Sequence, residues 1–470
     1  MSAKDALKKP ISRYHSLYEE IRQTYLDYPY PWVIGYSGGK DSTTALQLVW
    51  YALAGLPPKQ RQKPVYVIST DTLVETPVIV DYIDDTLRRI NEQAVKSDMP
   101  FQATKLKPVL NDTFWVNLIG RGYPAPNNFF RWCTERLKIN PSNRFILNKV
   151  AEHGEVILVL GMRKGESSTR DRVIKEHRVR GYKLSRHSTL PGAWVYMPIE
   201  HFSTDDVWTY LLQTSSPWGG DNRSLSSLYR SAQDGECPLV VDDTTPSCGN
   251  SRFGCWTCTV VDRDRSMESM IDSGEEWLIP LLEFRDWLSE TQDPAVKPEQ
   301  REYKGRDGRV RIRNDRLLWR TYRLDFSKGM LRRLLQTQAQ IQESDPDLVL
   351  ISEDELKEIR RLWLTERQDW GDSLPTIYAK VTRQSIEWDY NDVSMPGSLE
   401  LELLQRITHR HDVPVQLAQK LMDAQWQHHG MRRRAKIHKR IARIMDEEWR
   451  SLEDIQEEMA QNRREAREAV

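Results

Sequence analysis

A short apolar run, Trp32–Val33–Ile34–Gly35–Tyr36, leads directly into Ser37-Gly38-Gly39-Lys40-Asp41-Ser42, and an apolar helical pattern follows from Thr44 to Ala54. No other feature restricts the fold so tightly. A glycine-rich turn between a buried strand and a helix points backbone N–H groups at an anion, and the helix N-terminus adds partial positive charge. Ser37 and Ser42 bring hydroxyls to that turn, and Lys40 brings a cation. Asp41 is an acid beside a phosphate site, which is reasonable where a divalent cation shares the charge, so it is the expected Mg2+ residue.

Strand-like and helix-like stretches continue to alternate. Val65–Ser69 and Val156–Gly161 are further β-branched or aliphatic runs, and a helix is expected from Thr76 to Ser97. Continuous apolar strands separated by helices describe a parallel sheet covered on both faces. The expected fold class is α/β, a doubly wound parallel sheet, with a cysteine-bearing insert and an α-helical C-terminal region. Three regions are expected: 1–214, 215–345 and 346–470. The middle one holds a stretch rich in Ser, Gly, Asp and Pro (214–262), then a basic stretch, 301–337, with twelve Lys or Arg against four acids. The last holds charged helical segments at Glu353–Glu366, Ser398–His411, Val415–His428 and Arg432–Leu452, with a frayed end from Gln461.

Charge and cysteine usage narrow the function. Lys plus Arg and Asp plus Glu are both 68, so any nucleic-acid surface must be local. No run approaches the roughly 20 apolar residues of a membrane span. Met1 to Arg13 has basic residues but no apolar stretch behind them, unlike a secretory signal. Five cysteines, an odd number, do not describe a disulfide framework. A cytoplasmic protein with reduced thiols and no membrane partner is expected.

The Ser37–Ser42 hexamer resembles the PP-loop of the ATP pyrophosphatases, which cleave ATP between the α and β phosphates and adenylylate a substrate. Further segments resemble the phosphoadenylylsulfate (PAPS) reductase-like branch of that superfamily. These are Ser69-Thr70-Asp71-Thr72 with Glu75-Thr76-Pro77, and Trp132-Cys133-Thr134 with Lys138. Gly161-Met162-Arg163-Lys164-Gly165-Glu166-Ser167-Ser168-Thr169-Arg170 and Pro198-Ile199 with Asp205-Asp206-Val207-Trp208 complete the set. The resemblance spans residues 25–215. It implies that Ser37, Gly38, Gly39, Lys40, Asp41, Ser42, Asp71 and Glu75 bind ATP, and that Lys40, Asp41, Lys138, Arg163 and Arg170 serve catalysis. Asp71 and Glu75 have an equal claim as caps of the following helix. Arg163 and Arg170 follow a buried strand at its carboxyl end, where open α/β sheets bind ligands.

Cys133 stands alone in the α/β region, whereas Cys237, Cys248, Cys255 and Cys258 lie together, with Cys255-Trp256-Thr257-Cys258 forming a Cys-x-x-Cys hook. Four thiolates suit tetrahedral zinc or an iron–sulfur cluster. A structural zinc site usually pairs two short hooks, and only one is present. The irregular spacing favours an iron–sulfur cluster of the 4Fe-4S type on Cys133, Cys248, Cys255 and Cys258, with Cys237 as a spare thiol or alternate ligand.

The cysteine segments, with Phe130–Lys138 and the PP-loop, resemble the DNA phosphorothioation sulfurtransferases of bacteria, the DndC group. That resemblance implies ATP, Mg2+ and an iron–sulfur cluster as cofactors. It implies DNA as substrate, a cysteine desulfurase as sulfur donor and other phosphorothioation-system proteins as partners. Two alternatives share ATP or nucleotide use: a tRNA thiolase and a sulfonucleotide reductase. The reductase is disfavoured because its Glu-Cys-Gly tail is missing: Glu236-Cys237 is followed by Pro238. A non-catalytic nucleic-acid scaffold with structural zinc is a third. For the DNA surface, Arg163–Arg186 and Arg301–Arg333 are candidates, the latter containing Arg309-Val310-Arg311-Ile312-Arg313, whose alternation predicts a strand with one basic and one buried face. Arg432–Arg440 is a third basic patch.

Overall fold

Burial on both faces of a sheet accounts for the apolar runs. β1 (Trp32–Gly35), β2 (Val65–Thr70), β3 (Phe101–Leu106), β4 (Val156–Val159), β5 (Ser185–Arg186) and β6 (Ala193–Tyr196) form one sheet in the order β3-β2-β1-β4-β6-β5. Every neighbouring pair is parallel except β5 with β6. The computed structural model describes residues 14–164, 183–223, 225, 254–388, 397–427 and 435–468. β1 and β4 are buried along their whole length, so neither alternates. β3 is the edge strand and half-exposed, which hid it from a search for continuous apolar runs. Val33, Ile68, Leu158 and Val195 join Ile146 and Leu190 in a core beneath the sheet.

Around the sheet lie α1 (His15–Asp27), α2 (Lys40–Ala54), α3 (Pro77–Lys96), α4 (Asn140–His153) and α5 (Thr204–Gln213). α2 starts at Lys40, four residues before its apolar pattern, because the phosphate-loop turn itself supplies the first helical turn. It stops at Gly55, ahead of Pro57 and Pro58. α3 has Thr76 as N-cap and Pro77 at its first position, where a missing N–H costs nothing. The doubly wound α/β sheet is thus present.

The chain divides into two compact units, one of residues 1–114 and 126–285, the other of 115–125 and 286–470. The cysteine hook therefore belongs with the sheet, and the basic 301–337 stretch with the helices, so the 215–345 interval is shared between them. α6 (Arg265–Asp272) closes on the hook side, N-capped by Asp264, whose side chain accepts from the Met267 amide.

In the second unit the longer helices from residue 324 onward are α7 (Leu324–Ile341), α8 (Glu353–Glu366), α9 (Ser373–Thr382), α10 (Ser398–Arg410), α11 (Val415–Gln427), α12 (Ala435–Met445) and α13 (Leu452–Glu468). α8 has the bounds its sequence predicts, set by a capping box between Ser352 and Glu355. α13 runs to Glu468, past Gln461. Residues 115–125 fold as core of this unit. Trp115 donates its indole N–H to the Leu350 carbonyl at 2.6 Å, and Trp363 donates to the Ile119 carbonyl at 3.0 Å. A π-helical turn, Val116–Gly120, packs so tightly that a Cβ on Gly120 would lie 2.9 Å from Leu362.

The predicted basic strand is a correction. Ile312–Arg313 pairs with Arg316–Leu317 across a turn at Asn314 and Asp315, both in the left-handed region, and Val310 makes an isolated bridge to Lys304. Ile312 is 49% exposed, so this two-residue hairpin has no buried face.

Candidate functional site

The strand order reverses between β1 and β4, since the chain winds to β2 and β3 on one side and to β4 and β6 on the other. Such a switch point leaves a crevice at the carboxyl ends of the two strands. The Ser37–Ser42 loop leaves β1 there, and Gly161-Met162-Arg163 leaves β4 beside it. Gly38 has φ +75, a conformation that L side chains rarely adopt, and the turn depends on it. Ser37 and Ser42 bond each other at 3.1 Å through their hydroxyls, and Ser42 also donates to the Gly39 carbonyl at 3.0 Å. The N-cap of α2 is Gly39, which has no side chain to cap the helix, and a helix N-terminus favours an anion.

Asp41 is the centre of this cluster. Arg163 donates through Nε to its carboxylate at 2.8 Å, and the Lys40 ammonium stands 3.1 Å from the other oxygen. Arg163 also donates to Thr204 Oγ1 at 3.2 Å and is 8% exposed, so it is held rather than free to swing. Gly161 makes the approach possible. A Cβ there would lie 2.6 Å from the Asp41 carbonyl oxygen and 2.8 Å from the Ser42 nitrogen. Residues 122 apart in sequence thus form one anion-facing cluster of two cations and one carboxylate. Arg170, the remaining catalytic candidate of that segment, lies outside the described residues.

A second cluster forms where β2 ends. Asp71 accepts from the Leu73 amide at 2.8 Å and pairs with Lys105 at 3.3 Å. It shapes the turn after the strand and does not cap α3. Glu75 lies 3.8 Å from the Lys138 ammonium. Burial pushes its carboxyl up to about 7, with Lys138 opposing the rise and Asp71 adding to it.

The cysteine hook docks on this same turn. Glu75 and Cys255 form an antiparallel bridge, the Trp256 amide donates to the Val74 carbonyl at 3.0 Å, and Thr72 Oγ1 lies 3.2 Å from Cys255 Sγ. Trp256, 2% exposed, meets Phe284 edge-on at 5.6 Å, a pairing worth about 0.5–1.5 kcal/mol beyond burial alone. Behind the hook, Arg285 is 1% exposed and donates to the carbonyls of Cys258 (2.9 Å), Asp262 (2.8 Å) and Val261. Cys133 precedes a π-helical turn, Thr134–Ile139, that carries Lys138.

Cys133, Cys255, Cys258 and Lys138 line one cavity of about 70 Å3, with Phe114, Leu137, Val260 and Val261 as apolar wall. Burial pushes the Cys255 thiol up to about 12, against the pull of Lys138 and with a further push from Glu75. Thr257 Oγ1 lines the same cavity, is buried and has no hydrogen-bond partner. Three soft sulfurs and a spare hydroxyl donor in an apolar wall suit an iron–sulfur group better than a hard cation. Cys248 and Cys237 lie outside the described residues, and among the described residues no three His, Cys, Asp or Glu side chains are grouped closely enough to hold a metal ion.

Several residues here had no local signal in the sequence. Thr204, Lys105 and Arg285 act through partners that are distant in the chain.

Residues 31–261 match the phosphoadenosine phosphosulfate reductase domain. An uncharacterized protein of Methanocaldococcus jannaschii is 28% identical over 242 residues, 52% of this chain but only 39% of that protein, so the match covers less than half the relative's length. Among solved structures, phosphoadenylyl-sulfate reductase from Candida auris, as a phosphate complex, is 15% identical. It covers 48% of this chain and 90% of that one at a TM-score of 0.28. FMN adenylyltransferase from Candida glabrata, with FAD and pyrophosphate, is 13% identical over 45% of this chain and 62% of that one, at 0.26. No helix among the described residues is long and apolar enough to cross a membrane.

Two substitutions test this geometry. Gly161→Ala forces the phosphate loop away from β4 and should cost about 1–3 kcal/mol by overpacking, read as a lower urea midpoint together with weaker nucleotide binding. Arg285→Ala orphans three carbonyls and should cost on the order of 3 kcal/mol, about 1 for each. It should also speed alkylation of Cys255 and Cys258, and unchanged labelling rates would show that Arg285 does not hold the hook.

Proposed function

We propose that this PAPS reductase-like, nucleotide-binding domain serves an ATP-dependent sulfurtransferase that adenylylates the DNA backbone phosphate, so that sulfur can replace a non-bridging oxygen. One observation carries the reading. The carboxyl ends of the parallel strands bear both a phosphate loop, with Asp41 between Lys40 and Arg163, and a turn joined to a cavity walled by three cysteines and Lys138. The first suits a triphosphate and the second suits sulfur chemistry.

The phosphate oxygen is a poor leaving group until it is modified. In the proposed first step a non-bridging oxygen of DNA bonds to the α-phosphorus of ATP while the bond to the β-phosphate oxygen breaks and pyrophosphate leaves. A sulfur nucleophile then bonds to the DNA phosphorus, and AMP departs with the original oxygen. The α2 amides, Ser37, Ser42 and Lys40 would hold the departing pyrophosphate, and Arg163 would face the charge that builds at phosphorus. Mg2+ on Asp41 would share the negative charge of the triphosphate. An iron–sulfur group would be held by Cys133, Cys255 and Cys258, with Cys248 as the fourth ligand, and supplies sulfur and redox chemistry when bound. Lys138 would orient an anionic sulfur or phosphate beside it. A cysteine desulfurase as sulfur donor, and other phosphorothioation proteins, are partners of this same reading. The matched family gives sulfonucleotide reduction as the second reading.

The protein should convert ATP to AMP and pyrophosphate, and Asp41→Ala, assayed where the variant is still folded, should lower that turnover by about 100-fold or more. ADP and phosphate as products would reject the assignment. Release of sulfite from PAPS without ATP would establish the reductase instead. In cells carrying the complete system, mass spectrometry of digested nucleic acid should find phosphorothioate linkages in DNA that vanish with Asp41→Ala. Sulfur in tRNA and none in DNA would transfer the function to a tRNA thiolase.

A further inference from the structure

The helical unit contains a groove of about 1410 Å3, lined by residues from Arg121 to Glu447. Small-molecule sites run to about 300–1,000 Å3, so the groove suits an extended ligand. Its walls carry eleven Lys and Arg side chains against six Asp and Glu, in a chain whose net charge is zero.

The acids are largely committed to groove cations. Asp369 pairs with Lys328 at 2.8 Å, Glu366 with Arg306 at 3.6 Å, and Glu447 with Lys420. α12 supplies the surplus. Ile437 and Ile444 bury its apolar side, while Lys436, Lys439 and Arg443 stand exposed along the groove with no ion pair among the described residues. Their spacing of three and four residues puts them on one face of the helix. Lys304, inside the groove, is pushed down by burial and further by the neighbouring Lys420, while Glu447, Glu302 and Glu448 oppose the fall.

We propose that this groove binds the sugar–phosphate backbone of DNA, with Lys436, Lys439 and Arg443 of α12 as a stripe that meets successive phosphates. A single nucleotide would leave most of the groove empty, whereas a polyphosphate chain can reach one cation after another along it. The inference rests on the proposed function only for the choice of DNA, and among the candidate basic stretches it selects the Arg432–Arg440 patch, extended to Arg443, over the exposed Arg309–Arg313 hairpin.

The test is fluorescence anisotropy of a labelled duplex DNA over a salt series. The triple variant Lys436→Ala, Lys439→Ala, Arg443→Ala should bind about tenfold or more weakly, and its log–log salt slope should shrink by about 0.9 for each phosphate that is no longer neutralised. AMP release without DNA should be unchanged. Arg309→Ala, Arg311→Ala, Arg313→Ala removes the same charge outside the groove and should weaken binding less. Equal weakening in the two triples would reduce the effect to net charge and overturn the groove. In the wild-type protein, bound DNA should protect Lys436 and Lys439 from acetylation, and equal acetylation with and without DNA would also overturn it. DNA binding through the groove with no phosphorothioate formed would keep the groove and reject the sulfurtransferase. Phosphorothioation with a groove variant of wild-type affinity would do the reverse.

Discussion

The backbone contact between Gly161 and the Asp41–Ser42 peptide sets the geometry on which the candidate site depends. No side chain fits at 161, since its first carbon would lie 2.6 Å from the Asp41 carbonyl oxygen. With glycine there, the exit of β4 lies against the loop that leaves β1, and Arg163 reaches the Asp41 carboxylate. The parallel pairing of β1 with β4 brings the two exits together, and the missing Cβ lets them touch. Asp41 is consequently placed by a strand more than a hundred residues away.

The hook is held by a different set of forces. Trp256 anchors its apolar side, and Arg285 satisfies three carbonyls behind it. Pairing with Val74 and Glu75 then fixes its position at the end of β2. The same desolvation that secures this packing raises Glu75 and Cys255 together, so the cluster favours neutral forms unless positive charge is near. Lys138 is the positive charge that this chain places there.

The helical unit obeys coarser rules. Its members follow amphipathic periods and capping boxes that are visible in the sequence, as α8 shows. Its core nevertheless includes residues 115–125, which reach it from the middle of the sheet-forming region because Trp115 and Ile119 find their hydrogen-bond partners at Leu350 and Trp363. Local periodicity carries no information about that pairing.

Sequence alone determined the elements whose cause is local. Apolar runs long enough to be buried on both faces specified β1, β2 and β4, and Gly38-Gly39 before a helix specified the phosphate turn. Asp41 and the cysteines stood out by residue type and spacing, whereas Lys138 and Arg163 stood out through their resemblance to known motifs. Only the tertiary structure decided which of them meet. Arg163 holding Asp41, Lys105 holding Asp71, the hook on the β2 turn and Arg285 behind it all depend on long-range pairing. The Arg309–Arg313 alternation failed for the same reason: a period of two shows which residues could share a face, but burial needs a partner surface, and the hairpin has none.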